Sequence, residues 1–201
     1  MSPYLLKMNS VNIFSTPLWI WSTGLTISEL DELRELALEN ERAGHGLSAS
    51  NNEFAFHSPI NFKGSFQNLP GSKKLAMLFR QCLCEYGYKI NAVNICYWSI
   101  ISRKYSYNSK HNHGDSLLSS ALYISVPKGS GEIKFHDPRP GKLMSNTLGL
   151  DPNNTQHQAM KVTPATGMLV VFPSFLEHEV TMTLSDEPRI IYSFNVSPIN
   201  S

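Results

Sequence analysis

Residues 167–197, "GMLVVFPSFLEHEVTMTLSDEPRIIYSFNVS", decide the fold class of this chain. Apolar runs rich in Val, Ile, Phe and Tyr occupy 167–173, 176–184 and 189–197. They are short, and residues that favour turns separate them, notably "SDEP" at 185–188. Short runs of this composition between turn signals are typical of β-strands rather than helices. The segment therefore predicts three consecutive short strands.

The same signal extends upstream through the second half of the chain. Further strands are predicted at 92–101, 117–127, 131–138 and 158–164. The stretch "PKGSGE" at 127–132 is a hairpin-type turn, and the longest connection spans 137–154, a length that often accompanies function. Seven short strands at this spacing indicate a β-sandwich or barrel.

Two helices are predicted ahead of the strands. Residues 26–43 begin with Thr26 and Glu29 in a capping-box pattern and continue with apolar residues at helical spacing. Residues 72–86 have the same periodicity and end at Gly87. Both helices are expected to pack outside one sheet. The polar stretch between them is either a loop over the core or two short edge strands.

Length and composition bound the remaining possibilities. The 201 residues fit one domain, with a helical part at about 1–90 and a β core at about 91–199. Seventeen basic residues against 16 acidic ones argue against a nucleic-acid partner, which needs a basic surface. Three cysteines fit a reducing compartment, and neither a signal peptide nor a membrane span is evident. We therefore expect a cytoplasmic protein with no membrane partner.

Candidate metal ligands lie next to two predicted strands. His111, His113 and Asp115 precede the strand at 117–127, and His178 follows the run that ends at 173. Imidazole and carboxylate groups suit divalent iron, copper or zinc. Arg189 opens an otherwise apolar strand, and because a buried guanidinium needs a partner, it indicates an anion such as a carboxylate.

The order of these signals resembles the 2-oxoglutarate/Fe(II)-dependent oxygenases, in particular a branch from bacteria and phages. The resemblance rests on "FSTPLWIW" (14–21), on the block at 97–140 and on the block at 167–196. It implies a mainly β fold with flanking helices (α+β), built on a double-stranded β-helix or jelly-roll core. It also implies Fe(II) and 2-oxoglutarate as cofactors, His178 as the distal iron ligand and Arg189 as the grip on the far carboxylate of 2-oxoglutarate.

Two alternatives exist for the first pair of iron ligands. The wider family carries His-x-Asp, which His113 and Asp115 would supply here, whereas the branch that the chain resembles carries His-x-His, which His111 and His113 would supply. If Asp115 were a ligand, only Ser116 would separate it from the next apolar run, which leaves little room for a turn between strands. The spacing and the resemblance favour His111, His113 and His178 as the metal ligands.

The resemblance extends to activity and to other residues. It implies hydroxylation of an unidentified substrate, a small molecule or a peptidyl side chain, by dioxygen with release of succinate and carbon dioxide. Tyr123 and Asn195 are candidates for hydrogen bonds to 2-oxoglutarate, and Arg139 is a candidate substrate contact. His57 lies in a polar stretch and is predicted to be at the surface, and Trp98 to be a core aromatic.

Two other functions fit the sequence. One is a three-histidine, cupin-type metal dioxygenase that does not use 2-oxoglutarate and so has no need of Arg189. The other is a non-catalytic jelly-roll binding protein. Because the open edges of such cores tend to pair, we also expect a homodimer.

Overall fold

The structure, a computed structural model, describes residues 14–47, 51–89, 92–141, 148 and 159–199. Most of the long predicted connection at 137–154 lies outside these residues. The regular elements are the helices α1 (Ile27–Arg42) and α2 (Ser72–Tyr86), a 3-10 turn (Phe66–Asn68), and the strands β1 (Trp19–Ser22), β2 (Asn52–His57), β3 (Val93–His111), β4 (Leu118–Ser125), β5 (Ile133–His136), β6 (Ala159–Val162), β7 (Met168–Pro173), β8 (His178–Val180) and β9 (Arg189–Pro198).

Both predicted helices are confirmed, and the first has the predicted cap. The Thr26 side chain accepts a hydrogen bond from the backbone N–H of Glu29, whose carboxylate accepts one from the backbone N–H of Thr26. Helix α1 buries Leu33 and Ala37 against the sheet, and the Tyr192 hydroxyl donates to the Leu33 carbonyl oxygen at 2.9 Å. In the described part of the chain, neither helix has the length and apolar content needed to cross a membrane.

Strand β3 is longer than the sequence predicted. The prediction ended near residue 101, where the apolar run gives way to charged and polar residues, yet the strand continues to His111. It pairs with β9 from Val93 to Ser102 and then with β8 at Asn108 and His111. Backbone pairing on both sides sustains the strand where its side chains are exposed, so the hydrophobic pattern alone could not reveal its length.

The strands form one curled antiparallel sheet in the order β1-β7-β4-β9-β3-β8-β5-β6, with β2 added on β3. The predicted class, a mainly β double-stranded β-helix with flanking helices, is confirmed. Strand β1 was not predicted. Strand β2 is one strand in the stretch for which a loop and two edge strands were the alternatives.

Alternation along the strands divides the interior into two cores. Tyr192, Phe194 and Val196 of β9 face the helices and pack with Leu75 and Phe79 of α2. The intervening residues of β9 face the inside of the curled sheet, where the second core gathers the side chains of Trp98, Ile100, Tyr123, Phe135, Phe172 and Ile191. The inner face is where the candidate site lies.

Candidate active site

A cavity of about 370 Å³ opens on the inner face of the curled sheet. The strands β3, β4, β8 and β9 each contribute side chains to its wall, including His111, Tyr123, His178 and Arg189. Residues separated by about eighty positions in the sequence therefore meet in one space, because antiparallel pairing of β3 with both β8 and β9 brings the strand ends together.

Three histidines converge at one end of this cavity. His111 is the last residue of β3 and lies opposite His178, the first residue of β8. His113 follows two residues later, in the turn before β4, where its backbone N–H donates to the Ser174 carbonyl oxygen at 2.8 Å. One ring nitrogen from each histidine lies within 4.8 Å of the other two. That spacing suits a single ion bound by three imidazoles.

The hydrogen bonds of two of these rings fix which nitrogen is available. The Nδ1 atom of His111 lies 2.7 Å from the Ser109 carbonyl oxygen, and Nδ1 of His178 lies 3.0 Å from that of Leu176. A carbonyl oxygen can only accept, so each Nδ1 carries the proton and each Nε2 keeps its lone pair. Metal-binding histidines are commonly oriented by such a bond at the second ring nitrogen.

Burial keeps the three rings uncharged. Burial, together with a smaller effect of nearby His111, lowers the pKa of His178 to about 3 and that of His113 to about 4. Burial also lowers the pKa of His111. Because a metal ion requires the neutral imidazole, all three rings are ready to bind one at neutral pH.

Asp115 lies apart from the three histidines. Its residue is exposed in the turn that follows His113, and among the described residues the metal-capable cluster consists of His111, His113 and His178. The geometry therefore favours the His-x-His alternative over the His-x-Asp alternative.

Arg189 is a buried cation on the wall of the same cavity. The residue is 2 % exposed, and its Nη1 and Nη2 atoms donate to the Gly131 carbonyl oxygen at 2.9 Å and to the Ser102 hydroxyl oxygen at 3.1 Å. Its Nε–H is buried with no partner among the described residues. Burial lowers the pKa of Arg189. Both hydrogen-bond acceptors are neutral, so an anion would complete the site.

The other two predicted cosubstrate residues also line the cavity. Tyr123 is 1 % exposed, and burial raises the pKa of its hydroxyl to about 12, which keeps the O–H as a donor. Asn195 accepts a hydrogen bond at Oδ1 from Ser119 Oγ, at 2.7 Å, and Ser119 also pairs with Ser174 Oγ at 2.8 Å. This link connects Asn195 to the loop that holds His113.

Arg139 lies outside the cavity lining. Its guanidinium forms an ion pair with Asp137, at 2.6 Å, in the exposed loop after β5. Its role as a substrate contact stays a prediction.

Two residues of the cavity, and one residue that contacts Arg189, were not predicted to belong to the site. His57 was expected at the surface, which is wrong: it lies on β2, lines the cavity and stacks on Trp98. Trp98 is in the core as expected, but it also lines the cavity and contacts the His113 ring. Ser102 faces Arg189 across the β3–β9 register. The pairing of strands brings these residues to the site, and the local sequence does not show that pairing. A polar residue that faces inward beside an apolar strand is a weak sequence signal for such a position.

Comparison with protein families gives one match. A family model described as "Putative 2OG-Fe(II) oxygenase" matches residues 96–195, which run from β3 to β9 and contain all three histidines and Arg189. No curated protein matches the chain.

Solved structures with the same fold include a hydroxylase, an epimerase and a protein with nickel and 2-oxoglutarate bound. A Pseudomonas putida prolyl-4-hydroxylase has a TM-score of 0.66 at 14 % identity, over 92 % of this chain and 95 % of that one. The 2-oxoglutarate-dependent epimerase SnoN of nogalamycin biosynthesis has 0.63 at 13 %, over 90 % and 76 %. HygX from Streptomyces hygroscopicus, with nickel and 2-oxoglutarate bound, has 0.58 at 12 %, over 91 % and 83 %. At these identities the similarity establishes the fold.

Proposed function

Since the chain belongs to the 2OG-Fe(II) oxygenase family, we propose that it is an Fe(II)- and 2-oxoglutarate-dependent dioxygenase that hydroxylates its substrate. The products besides the hydroxylated substrate are succinate and carbon dioxide. One observation carries this proposal: three neutral histidines converge within 4.8 Å in the cavity that also contains a buried arginine, for which the described residues supply no counter-ion.

The metal would be held by His111, His113 and His178. Neutral imidazoles suit Fe(II), and three of them at one end of a cavity leave the remaining coordination positions for other ligands. Bound Fe(II) supplies the redox chemistry that couples the decarboxylation of 2-oxoglutarate to oxidation of the substrate. The hydrogen bonds at Nδ1 of His111 and His178 hold those rings in position before the metal arrives.

Arg189 would bind the distal carboxylate of 2-oxoglutarate. Its Nη atoms are held by Ser102 and Gly131, so the guanidinium is oriented in advance and loses little freedom when the anion binds. Tyr123 has an O–H donor on the same wall, and Asn195 has an amide N–H₂ group there. Both would donate hydrogen bonds to the carboxylate oxygens and would help to exclude water.

The all-histidine ligand set favours a second candidate, a cupin-type dioxygenase that does not use 2-oxoglutarate. That reaction needs the three histidines but gives no reason to bury Arg189 in a cavity whose described residues include no acidic partner. Arg189 therefore makes the 2-oxoglutarate-dependent reaction the better proposal.

The test is an anaerobic titration of the purified protein with Fe(II) and 2-oxoglutarate. We expect the weak visible charge-transfer band of a bidentate chelate, and succinate when air is admitted. His178→Ala is expected to abolish both signals because it removes a ligand. His45→Ala, at an exposed position outside the cavity lining, is the matched control. If the wild-type protein binds iron but gives neither the band nor succinate, the result would favour the second candidate.

A further inference from the structure

The outer part of the cavity wall has features that metal and 2-oxoglutarate binding do not use. His57 and Trp98 stack there with ring planes 13° apart and centroids 5.8 Å apart. Leu47 and Ile60 also line this part, and they are 47 % and 58 % exposed. This aromatic pair and the two exposed aliphatic side chains together give the cavity wall an apolar surface.

The His57 ring has one defined polar property. Its Nδ1 atom lies 2.7 Å from the Ser58 carbonyl oxygen and must donate to it, so Nε2 is the nitrogen with the lone pair. Burial lowers the pKa of His57, which keeps the ring neutral. Among the described residues, no group pairs with Nε2. Because His57 lines the cavity, its ring offers a hydrogen-bond acceptor with a fixed tautomer there.

The charges around the cavity are equally defined. Among the described residues that line it, none is acidic, and Arg189 is the only permanent cation. A cationic substrate would leave water without gaining a carboxylate partner, and an anionic one would compete with 2-oxoglutarate for Arg189. Asn51 and Asn112 line the cavity too and can hydrogen-bond neutral groups.

We propose that the substrate group that enters this cavity is uncharged and presents an O–H or N–H donor beside an apolar body, with His57 Nε2 accepting from the donor. The apolar body lies against Trp98, Leu47 and Ile60. This inference rests on the proposed function, because it assigns the substrate class of the same site. It makes His57 a residue that determines specificity.

The test uses four probes of similar size on the metal-free protein: benzyl alcohol, benzyl methyl ether, benzylammonium and benzoate. Histidine ring ¹⁵N shifts, with the His57 signals assigned by their loss in His57→Phe, report the tautomer and the hydrogen bond. We expect a lone-pair Nε2 in the free protein and a shift of that nitrogen with benzyl alcohol. The alcohol should bind about fivefold more tightly than the ether, since one neutral hydrogen bond separates them, and both charged probes should bind more weakly.

Two variants make the test specific to the acceptor. His57→Phe keeps an aromatic ring on Trp98 but removes the acceptor, so the alcohol and the ether should bind equally. His57→Gln retains an acceptor and should keep part of the preference for the alcohol over the ether. That result would show that the loss in His57→Phe is not an effect of misfolding. The benzoate titration is repeated on Arg189→Gln, because benzoate bound to the buried Arg189 guanidinium would otherwise be mistaken for binding beside His57.

Several results would overturn the inference. These are a proton on Nε2 in the free protein, equal binding of alcohol and ether to the wild type, tightest binding of a charged probe, or no shift of His57 with any probe. The titration needs neither iron nor 2-oxoglutarate. Failure of the succinate assay with a normal probe response would reject the oxygenase reaction alone, and the reverse pattern would reject the substrate class alone.

Discussion

A guanidinium that is 2 % exposed, with no carboxylate beside it in the described part of the chain, costs free energy to bury. Arg189 recovers part of that cost through the Gly131 carbonyl and the Ser102 hydroxyl, and no described residue accepts from its Nε–H. A bound dianion would supply the missing charge and accept the missing hydrogen bond. The residue is therefore the single most direct reason to expect a carboxylate ligand in this cavity.

We predict that Arg189→Gln and Arg189→Lys each weaken 2-oxoglutarate binding by about 10- to 100-fold, the range for one charge-assisted hydrogen bond. Lysine keeps the charge but not the planar fork, so it should not restore affinity. Anaerobic titration of the charge-transfer band measures the dissociation constant. Arg103→Gln is the control, because that arginine pairs with Glu41 on the surface. An unchanged dissociation constant in Arg189→Gln would contradict the assigned role.

The choice between His111 and Asp115 can be tested with a pair of variants. Loss of a residue that only orients a metal ligand weakens metal binding by about 10- to 100-fold. We predict that His111→Gln weakens Fe(II) binding by more than this, because it removes a ligand. Asp115→Asn should bind Fe(II) as the wild type does, because Asp115 is exposed and outside the cluster. Anaerobic equilibrium dialysis gives both affinities. The opposite order would establish the His-x-Asp alternative.

The turn between β4 and β5 contacts Arg189 through Gly131. Gly131 lies so close to β8 that a Cβ atom there would overlap the Thr181 carbonyl oxygen. Its own carbonyl oxygen accepts the hydrogen bond from Arg189 Nη1. Glycine is thus required by close approach of two backbones, and the same approach sets the position of the guanidinium.

We predict that Gly131→Ala lowers the free energy of unfolding by about 1–3 kcal/mol, the usual cost of overpacking, and also weakens 2-oxoglutarate binding. The second effect follows because the backbone must move away from Thr181 and carry its carbonyl oxygen with it. Urea unfolding and the anaerobic titration measure the two effects. In Gly141→Ala an added Cβ meets no described atom within 4 Å, so that variant should behave as the wild type. Normal 2-oxoglutarate affinity in a destabilised Gly131→Ala protein would separate the turn from the site.

Local sequence signals were enough to predict most elements. The cap at Thr26, the helical spacing after it and the β-rich runs between turn residues each depend on neighbours in the sequence. The outer half of β3 and the whole of β1 depend on partners that are distant in the sequence. Strand β1 pairs with β7 through four residues, Trp19 to Ser22, too few to show a period of two.

The candidate site was predictable in part because its ligands are unusual residues beside apolar runs. His111, His113, His178 and Arg189 stand out in the sequence, and the structure brings all four to one cavity. His57 and Ser102 are ordinary residues whose importance comes from register. His57 lies opposite Ile100 across the β2–β3 pair, and Ser102 lies opposite Arg189, which no local pattern encodes.

Assembly of the site from distant strands couples its ionisation to the stability of the whole molecule. In the folded protein burial holds the pKa of His178 at about 3 and that of His113 at about 4, whereas the ordinary value is 6.5. The unfolded chain therefore binds protons that the folded chain does not, at every pH between these values. The contribution of the neutral, buried histidines to the free energy of unfolding is fully present above about pH 6.5. It is lost as the pH falls below that value.

We predict that the metal-free protein loses free energy of unfolding as the pH is lowered from 7 to 5. Each histidine protonated only in the unfolded state adds about 1.4 kcal/mol per pH unit to the slope once the pH is below about 6. In His178→Asn one such group is absent, so the slope should be shallower by up to that amount. His45→Asn, the same substitution at an exposed position, is the control. Urea unfolding at a series of pH values measures the slope, and parallel lines for wild type and His178→Asn would show that the buried imidazole is not held neutral by the fold.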